Sequence, residues 1–286
     1  MDNFQELFYK AAFFLSQAKA LIITAGAGMG VDSGLPDFRG KTGFWKHYPY
    51  AKKLGLSFEQ LANPFWFEKD PHMAWAFYGH RLNLYRNTTP HHGFNILLSW
   101  ADNMPYSYFI FTSNVDGQFQ KAGFDPNKIV EIHGSIHYLQ CTLPCSNKIW
   151  PADNIEVKID FNQFKALDPL PKCPLCGRIA RPNILMFNDF YWISSRTDKQ
   201  EQKFNSWLDY LFKNKIPTII FEIGAGTAVP TVRYTSENLA LKLNAPLIRI
   251  NPRDYQIPQN PKFIPIPHTA LHALQNIDLI LKKIQK

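Results

Sequence analysis

Four cysteines stand in two pairs, Cys141 with Cys145 and Cys173 with Cys176, spaced C-x3-C and then C-x2-C. Four thiolates at such spacing match tetrahedral zinc with every ligand position filled, so that the ion is structural; the alternative is four unliganded thiols. Gly26, Gly28 and Gly30 follow the apolar run Leu21 to Thr24. A glycine turn after a strand exposes backbone N–H groups suited to a pyrophosphate, although many strand-to-helix turns look alike. Asn114 and Asp116 lie two apart at the end of another apolar run, so both side chains can face one crevice. The amide could hold a ribose or a water and the carboxylate could accept a hydrogen bond; the plainer reading is a pair of turn residues. His133 closes a third run just before Gly134. An imidazole titrates near neutrality and can act as a base, or it can simply be a satisfied polar residue.

These groups need elements to hold them. Apolar runs at 21–24, 106–112, 128–133, 218–223 and 246–250 read as strands. Helical periodicity appears in the first 18 residues, at 71–86 behind Asp70 as N-cap, at 91–103, around Phe204 to Phe212, at 232–242 and at 271–284. Ser57 and Gln60 stand at capping-box spacing before a short helix. Strands alternating with helices imply an α/β fold: a Rossmann-like parallel sheet with helices on both faces. Ser33-Gly34 and Pro36 stop any helix within about two turns of the glycines. The expected organisation is a single domain over 1–286, carrying a helical subdomain at 41–104 and a zinc-binding module at 137–182. The aromatic residues Phe65, Trp66, Phe67, Trp75, Phe77 and Tyr78 read mostly as the core of that subdomain.

The chain has 286 residues, 45% of them hydrophobic and a net charge of +8, enough to bury a core without disulfides. The positive charges are dispersed, which points away from nucleic acid and toward an anionic small ligand or a solvated surface. No 18-residue stretch is free of charged or strongly polar groups, so no membrane span is expected. Asp2 and Glu6 precede Lys10, unlike the basic start of an export signal, and the expected compartment is the cytoplasm.

In their order along the chain these pieces resemble the sirtuins, NAD-dependent protein deacylases. The family's G-A-G-x-S and G-I-P-D-F-R are matched by G-A-G-M-G at 26–30 and G-L-P-D-F-R at 34–39. Its T-Q-N-I-D is matched by T-S-N-V-D at 112–116, and its H-G by His133-Gly134. Two cysteine pairs come next, then Arg181-Pro182, Phe187 near the family's F-G-E, G-A-G at 224–226 for its G-T-S, and Asn251. Gly30, Ser113, Ala225, Gly226 and Asn188-Asp189 depart from the pattern, in the manner of a divergent bacterial-type branch. The exchanges at 225 and 226 remove hydroxyls that would bond the cofactor phosphates, leaving backbone N–H groups for that task.

The resemblance implies that NAD is co-substrate and that Gly26, Ala27, Gly28, Asp37, Phe38, Arg39, Ser113, Asn114, Val115, Asp116, Gly224, Ala225, Gly226, Asn251 and Pro252 bind it. It implies His133 and Asn114 as catalytic residues and Cys141, Cys145, Cys173 and Cys176 as zinc ligands. The implied partner is an acylated lysine on a protein, and the products are nicotinamide and O-acyl-ADP-ribose. Phe187, Tyr78 and Arg81 are the implied substrate contacts. Tyr78 and Arg81, three apart on one helix, share a face and match the Y-x-x-R of sirtuins that remove succinyl or malonyl groups. NAD hydrolysis or ADP-ribosyl transfer at the same site is the alternative within enzymes, and a silent NAD or ADP-ribose sensor the alternative outside them.

Overall fold

Strand Ala20–Ala25 is wholly buried and lies at the centre of the main sheet. The computed structural model describes residues 3–37 and 40–286. The sheet order is Phe263–Ile266, Leu247–Ile250, Thr218–Ile223, Ala20–Ala25, Tyr108–Thr112 and Ile129–Glu131, with every neighbouring pair parallel. Burial of both faces explains why these strands read as continuous apolar runs. Strand Phe263–Ile266 was not expected, because Pro265 interrupts its run; an edge strand tolerates the missing N–H.

Leu21 and Ile23 point to one face, with Phe8 and Leu15 of helix Asn3–Gln17, Leu97 and Trp100 of helix His92–Asp102 and Leu274 of helix Ala270–Ile284. Ile22 points to the other face, with Phe204 and Leu208 of helix Ser195–Lys213 and Val232 of helix Thr231–Leu243. The strand period of two sorts one strand's residues between two cores. The fold is therefore α/β with a Rossmann-like parallel sheet covered on both sides.

A third core lies outside this sheet. Phe44, Trp75, Phe77 and Leu82 of the helical segment pack with Ile136, Leu139, Val157, Phe164 and Ile184 of the cysteine-bearing segment. The latter forms an antiparallel sheet of Trp150–Pro151, Gly134–Cys141 and Ala180–Ile184. Trp75 donates its indole N–H to the Ala180 carbonyl at 2.9 Å, joining the two segments. Together the two segments bury one core. Helix His92–Asp102 packs instead on the main sheet. The expected caps are present: Ser57 and Gln60 exchange both capping-box bonds, and Asp70 accepts from the Met73 N–H. Among the described residues no helix is long and apolar enough to cross a membrane.

Candidate active site

Chain order reverses between Ala20–Ala25 and Thr218–Ile223, and the two glycine turns leave the sheet side by side at that point. In open parallel sheets this is where ligands bind. The Gly26 N–H donates to the Ile223 carbonyl and the Gly28 N–H to the Gly224 carbonyl, both at 3.0 Å. A Cβ on Gly28 would lie 2.6 Å from the Gly224 Cα, and one on Gly224, whose φ is +65°, would lie 2.3 Å from the Met29 nitrogen. The glycines therefore let two loops touch, and the N–H groups of Gly26, Gly28 and Gly224 are spent on carbonyls within the protein. A short 3-10 turn, Ala27–Ser33, follows in place of a long helix, as Gly34 and Pro36 require.

His91, which sequence reading passed over, pins this turn from below. Its Nε2 is 2.9 Å from the Met29 carbonyl, and its Nδ1 accepts from the Gly93 N–H at 3.0 Å. That pairing assigns the ring as neutral with the proton on Nε2, in keeping with the downward pKa shift caused by burial.

On the neighbouring strand, Thr112 Oγ1 donates to the Ala25 carbonyl and accepts from the Asn114 N–H. The Asn114 side-chain amide donates to the Gly26 carbonyl at 3.0 Å, and the Ser113 N–H donates to Ala25. Val115 is buried and its carbonyl accepts from Ile136, linking the sheet to the core outside it. Asp116 accepts from the Gln118 N–H at 2.9 Å. Burial pushes its carboxyl up to about 6, the Gln118 bond opposing and the Glu131 charge adding. His133 sits where edge strand Ile129–Glu131 passes into strand Gly134–Cys141, and its carbonyl accepts from Leu185. Burial lowers its pKa below the usual 6.5, against a raising contact with the Ser113 backbone. A neutral ring at pH 7 has a lone pair free to accept a proton.

Asn251 is only 2% exposed, and its carboxamide is used within the protein. It donates to the Ala225 carbonyl at 2.8 Å and accepts from the N–H groups of Arg253 and Asp254, both at 3.0 Å. It fixes the second glycine turn and the turn begun by Pro252. Asp37 forms an ion pair with Arg253, a residue the sequence did not single out. Phe38 and Arg39 lie outside the described residues.

Tyr78 and Arg81 are buried on helix Pro71–Asn87. The Arg81 guanidinium donates to the Tyr85 hydroxyl from Nε and Nη2 at 3.1 and 3.0 Å. Its central carbon lies 5.4 to 5.7 Å from the ring centres of Phe58, Phe77, Tyr78 and Tyr85. The Tyr78 hydroxyl is buried with no hydrogen-bond partner among the described residues. Phe187 meets Phe58 edge-on at 6.2 Å, so Phe58 bridges Phe187 and Arg81. Tyr85, four residues past Arg81, was legible from helical spacing; Phe58 was not.

The four sulfurs lie within 4.8 Å of one another, with Cys141 to Cys176 at 3.6 Å and Cys145 to Cys173 at 3.7 Å. Tetrahedral Zn–S bonds of about 2.3 Å require sulfurs about 3.8 Å apart. The four cysteines thus fit a structural zinc, and 3.6 Å is too long for a disulfide.

A parallel sheet with paired glycine turns at its reversal, an amide, a carboxylate and a neutral imidazole at its carboxyl edge, and a cysteine-bearing lobe beside them define a dinucleotide-fold protein with a structural metal centre. Residues 26–205 match the Sir2 family model, and the chain belongs to that family. It is 34% identical over 179 residues to an NAD-dependent protein deacylase of Thermococcus kodakarensis, covering 63% of each chain. It is 28% identical over 239 residues to a probable bifunctional ADP-ribose hydrolase/ADP-ribosyltransferase of Fusarium oxysporum f. sp. cubense, covering 80% of this chain and 39% of that one. The chain thus aligns with less than two thirds of the length of either relative. A solved Sir2 homolog–NAD complex superposes with a TM-score of 0.65 at 24% identity, over 97% of this chain and 94% of that one. At that identity the likeness speaks for the fold.

Proposed function

We propose that this protein removes acyl groups from protein lysines at the expense of NAD, as a single catalytic domain acting in the cytoplasm. The observation that carries the reading is the convergence of three groups on one crevice. The glycine turns at 26–28 and 224–226, the laced segment Thr112 to Asp116 and the neutral His133 all meet at the carboxyl edge of the sheet. The relative from Thermococcus supports it by its name.

NAD would supply, when bound, a ribose carbon that bonds the acyl oxygen as nicotinamide leaves; with one water consumed to release the amine, lysine, nicotinamide and O-acyl-ADP-ribose would result. The backbone N–H groups of Ala225 and Gly226 hold phosphate oxygens in place of the family's hydroxyls. Asp116, ionised above about pH 6, accepts from a carboxamide N–H and orients that end of the ligand. His133 accepts the proton of a ribose hydroxyl at its unprotonated ring nitrogen. Asn114, tied to Gly26, holds the reacting ribose against the first turn. The zinc would hold Cys141, Cys145, Cys173 and Cys176 together and take no part in chemistry.

The acyl end would lie against Phe187, Tyr78 and Arg81. A buried tyrosine hydroxyl without a partner among the described residues, beside a buried guanidinium, suits a carboxylate-ended acyl group, such as succinyl or malonyl.

Mass spectrometry of a reaction with NAD and an acyl-lysine peptide tests the reading. O-acyl-ADP-ribose appearing in step with free lysine is expected, and nicotinamide release without it would sink the proposal. NAD hydrolysis or ADP-ribosyl transfer is then the reading left, favoured by the Fusarium relative and marked by NAD consumption without peptide.

A further inference from the structure

The two halves of the main sheet repeat one arrangement. Ala20–Ala25 runs into Gly26-Ala27-Gly28 beside Tyr108–Thr112, which leads to Asn114. Thr218–Ile223 runs into Gly224-Ala225-Gly226 beside Leu247–Ile250, which leads to Asn251. The parallel extends to side chains: each asparagine amide donates to a carbonyl of its own glycine turn, Asn114 to Gly26 and Asn251 to Ala225. A dinucleotide laid across the reversal places one nucleotide over each half. Asp116 and His133 belong to the first half. On the nucleotide-binding reading above, on which this inference rests, the reacting ribose lies there and the adenosine over the second half.

At the end of the strand beside the glycine turn, folds of this kind place the residue that meets the adenosine ribose. An acidic side chain receives its 2′-hydroxyl, whereas an arginine accommodates a 2′-phosphate. Here the turn carries Arg253. Its backbone N–H is fixed by Asn251, the residue that also holds Ala225, so its position is coupled to the glycine turn. Its side chain is 59% exposed and reaches Asp37, in the loop after the first glycine turn. That pairing ties the Arg253 turn to the first glycine loop while most of the side chain stays in solvent. Arg233 donates to the carbonyls of Asp254 and Gln256, just past Arg253 in the chain. The acidic groups that could oppose a phosphate are Asp37 and the adjacent Asp254.

We propose that Arg253 reads the adenosine ribose and admits a 2′-phosphate, so that the site takes dinucleotides of the NADP class as well as NAD. The phosphate replaces Asp37 as partner of the guanidinium, offering two oxygens to a planar fork.

Isothermal titration of the whole zinc-loaded protein with NAD, NADP, ADP-ribose and 2′-phospho-ADP-ribose tests this. Each 2′-phosphorylated ligand is expected to bind at least as tightly as its unphosphorylated counterpart, and less tightly as salt rises. Arg253→Glu should weaken the phosphorylated pair by about 10- to 150-fold more than it weakens the other pair, the range for losing one charged hydrogen bond. Arg253→Lys should retain part of the preference. Binding of NAD with rejection of NADP would overturn the inference while leaving the nucleotide reading intact, and would assign the ribose to Asp37 or Asp254. Equal weakening of all four ligands by Arg253→Glu would also overturn it. Failure of all four to bind the unaltered protein would overturn both.

Discussion

Arg181 and Asp189 form a two-pronged ion pair, with Nη1 and Nη2 at 2.6 and 2.9 Å from the two carboxylate oxygens and both side chains fully buried. Asp189 also accepts from the N–H groups of Met186 and Tyr191, closing the loop that carries Phe187. Asp189 stands near where the family has the glutamate of F-G-E, and from sequence it could repel or neutralise an acidic acyl group. The structure pairs it with Arg181 instead, so its charge is met inside the protein.

Removing one member of a buried pair strands the other, at a cost of about 3–5 kcal/mol. Asp189→Asn should lower unfolding stability in urea by that order. Arg181→Met combined with Asp189→Leu should recover much of the loss. A single variant as stable as the parent would show that the pair does not organise the loop.

His133→Ala should cut turnover by about 10²–10⁴ while leaving NAD affinity near that of the parent. Single-turnover rates and direct NAD titration separate the two quantities. An equal loss appearing wholly in affinity would make His133 a binding residue.

Asp116 carries a folded-state pKa of about 6, above the unfolded value near 3.9. Between these values the folded chain keeps a proton that the unfolded chain has released. Stability from this group is therefore present at low pH and lost as pH rises through about 6. Asp116→Asn keeps the acceptor for Gln118 but removes the titration. The gain in Tm of the variant over the parent should be larger at about pH 7.5 than at about pH 5. An identical gain at both would show that Asp116 is not strained by burial.

Arg81→Met should lose activity on succinyl-lysine and spare activity on acetyl-lysine, by roughly 10- to 150-fold in relative rate. A peptide panel read as kcat/KM decides it. A parent that already prefers acetyl-lysine, with a variant that changes neither rate, would reduce Tyr78 and Arg81 to packing.

Metal analysis of the purified protein should find one zinc per chain. Cys173→Ser, altering a buried sulfur, should give misfolded protein rather than a folded enzyme with a selective catalytic defect. Folded, active, metal-free protein would refute the zinc centre.

The features legible in the chain were those set within a few residues. Burial on both faces wrote the strands as apolar runs, and caps such as Ser57 and Asp70 act over one helical turn. The cysteine spacing spoke for zinc, and the order of motifs for the family. Strand Phe263–Ile266 escaped because its proline is harmless only at an edge, and a sequence does not say which strand is the edge.

Tertiary structure alone decided which distant groups meet. Gly28 is a glycine partly because Gly224 packs against it, nearly two hundred residues on. Asn251 turns its amide inward to Ala225, and Asp37 finds Arg253. The helical and cysteine segments, legible as separate insertions, share one core. Composition states that a buried polar group must have a partner and an apolar face must have a cover. Only the path of the chain through space selects which.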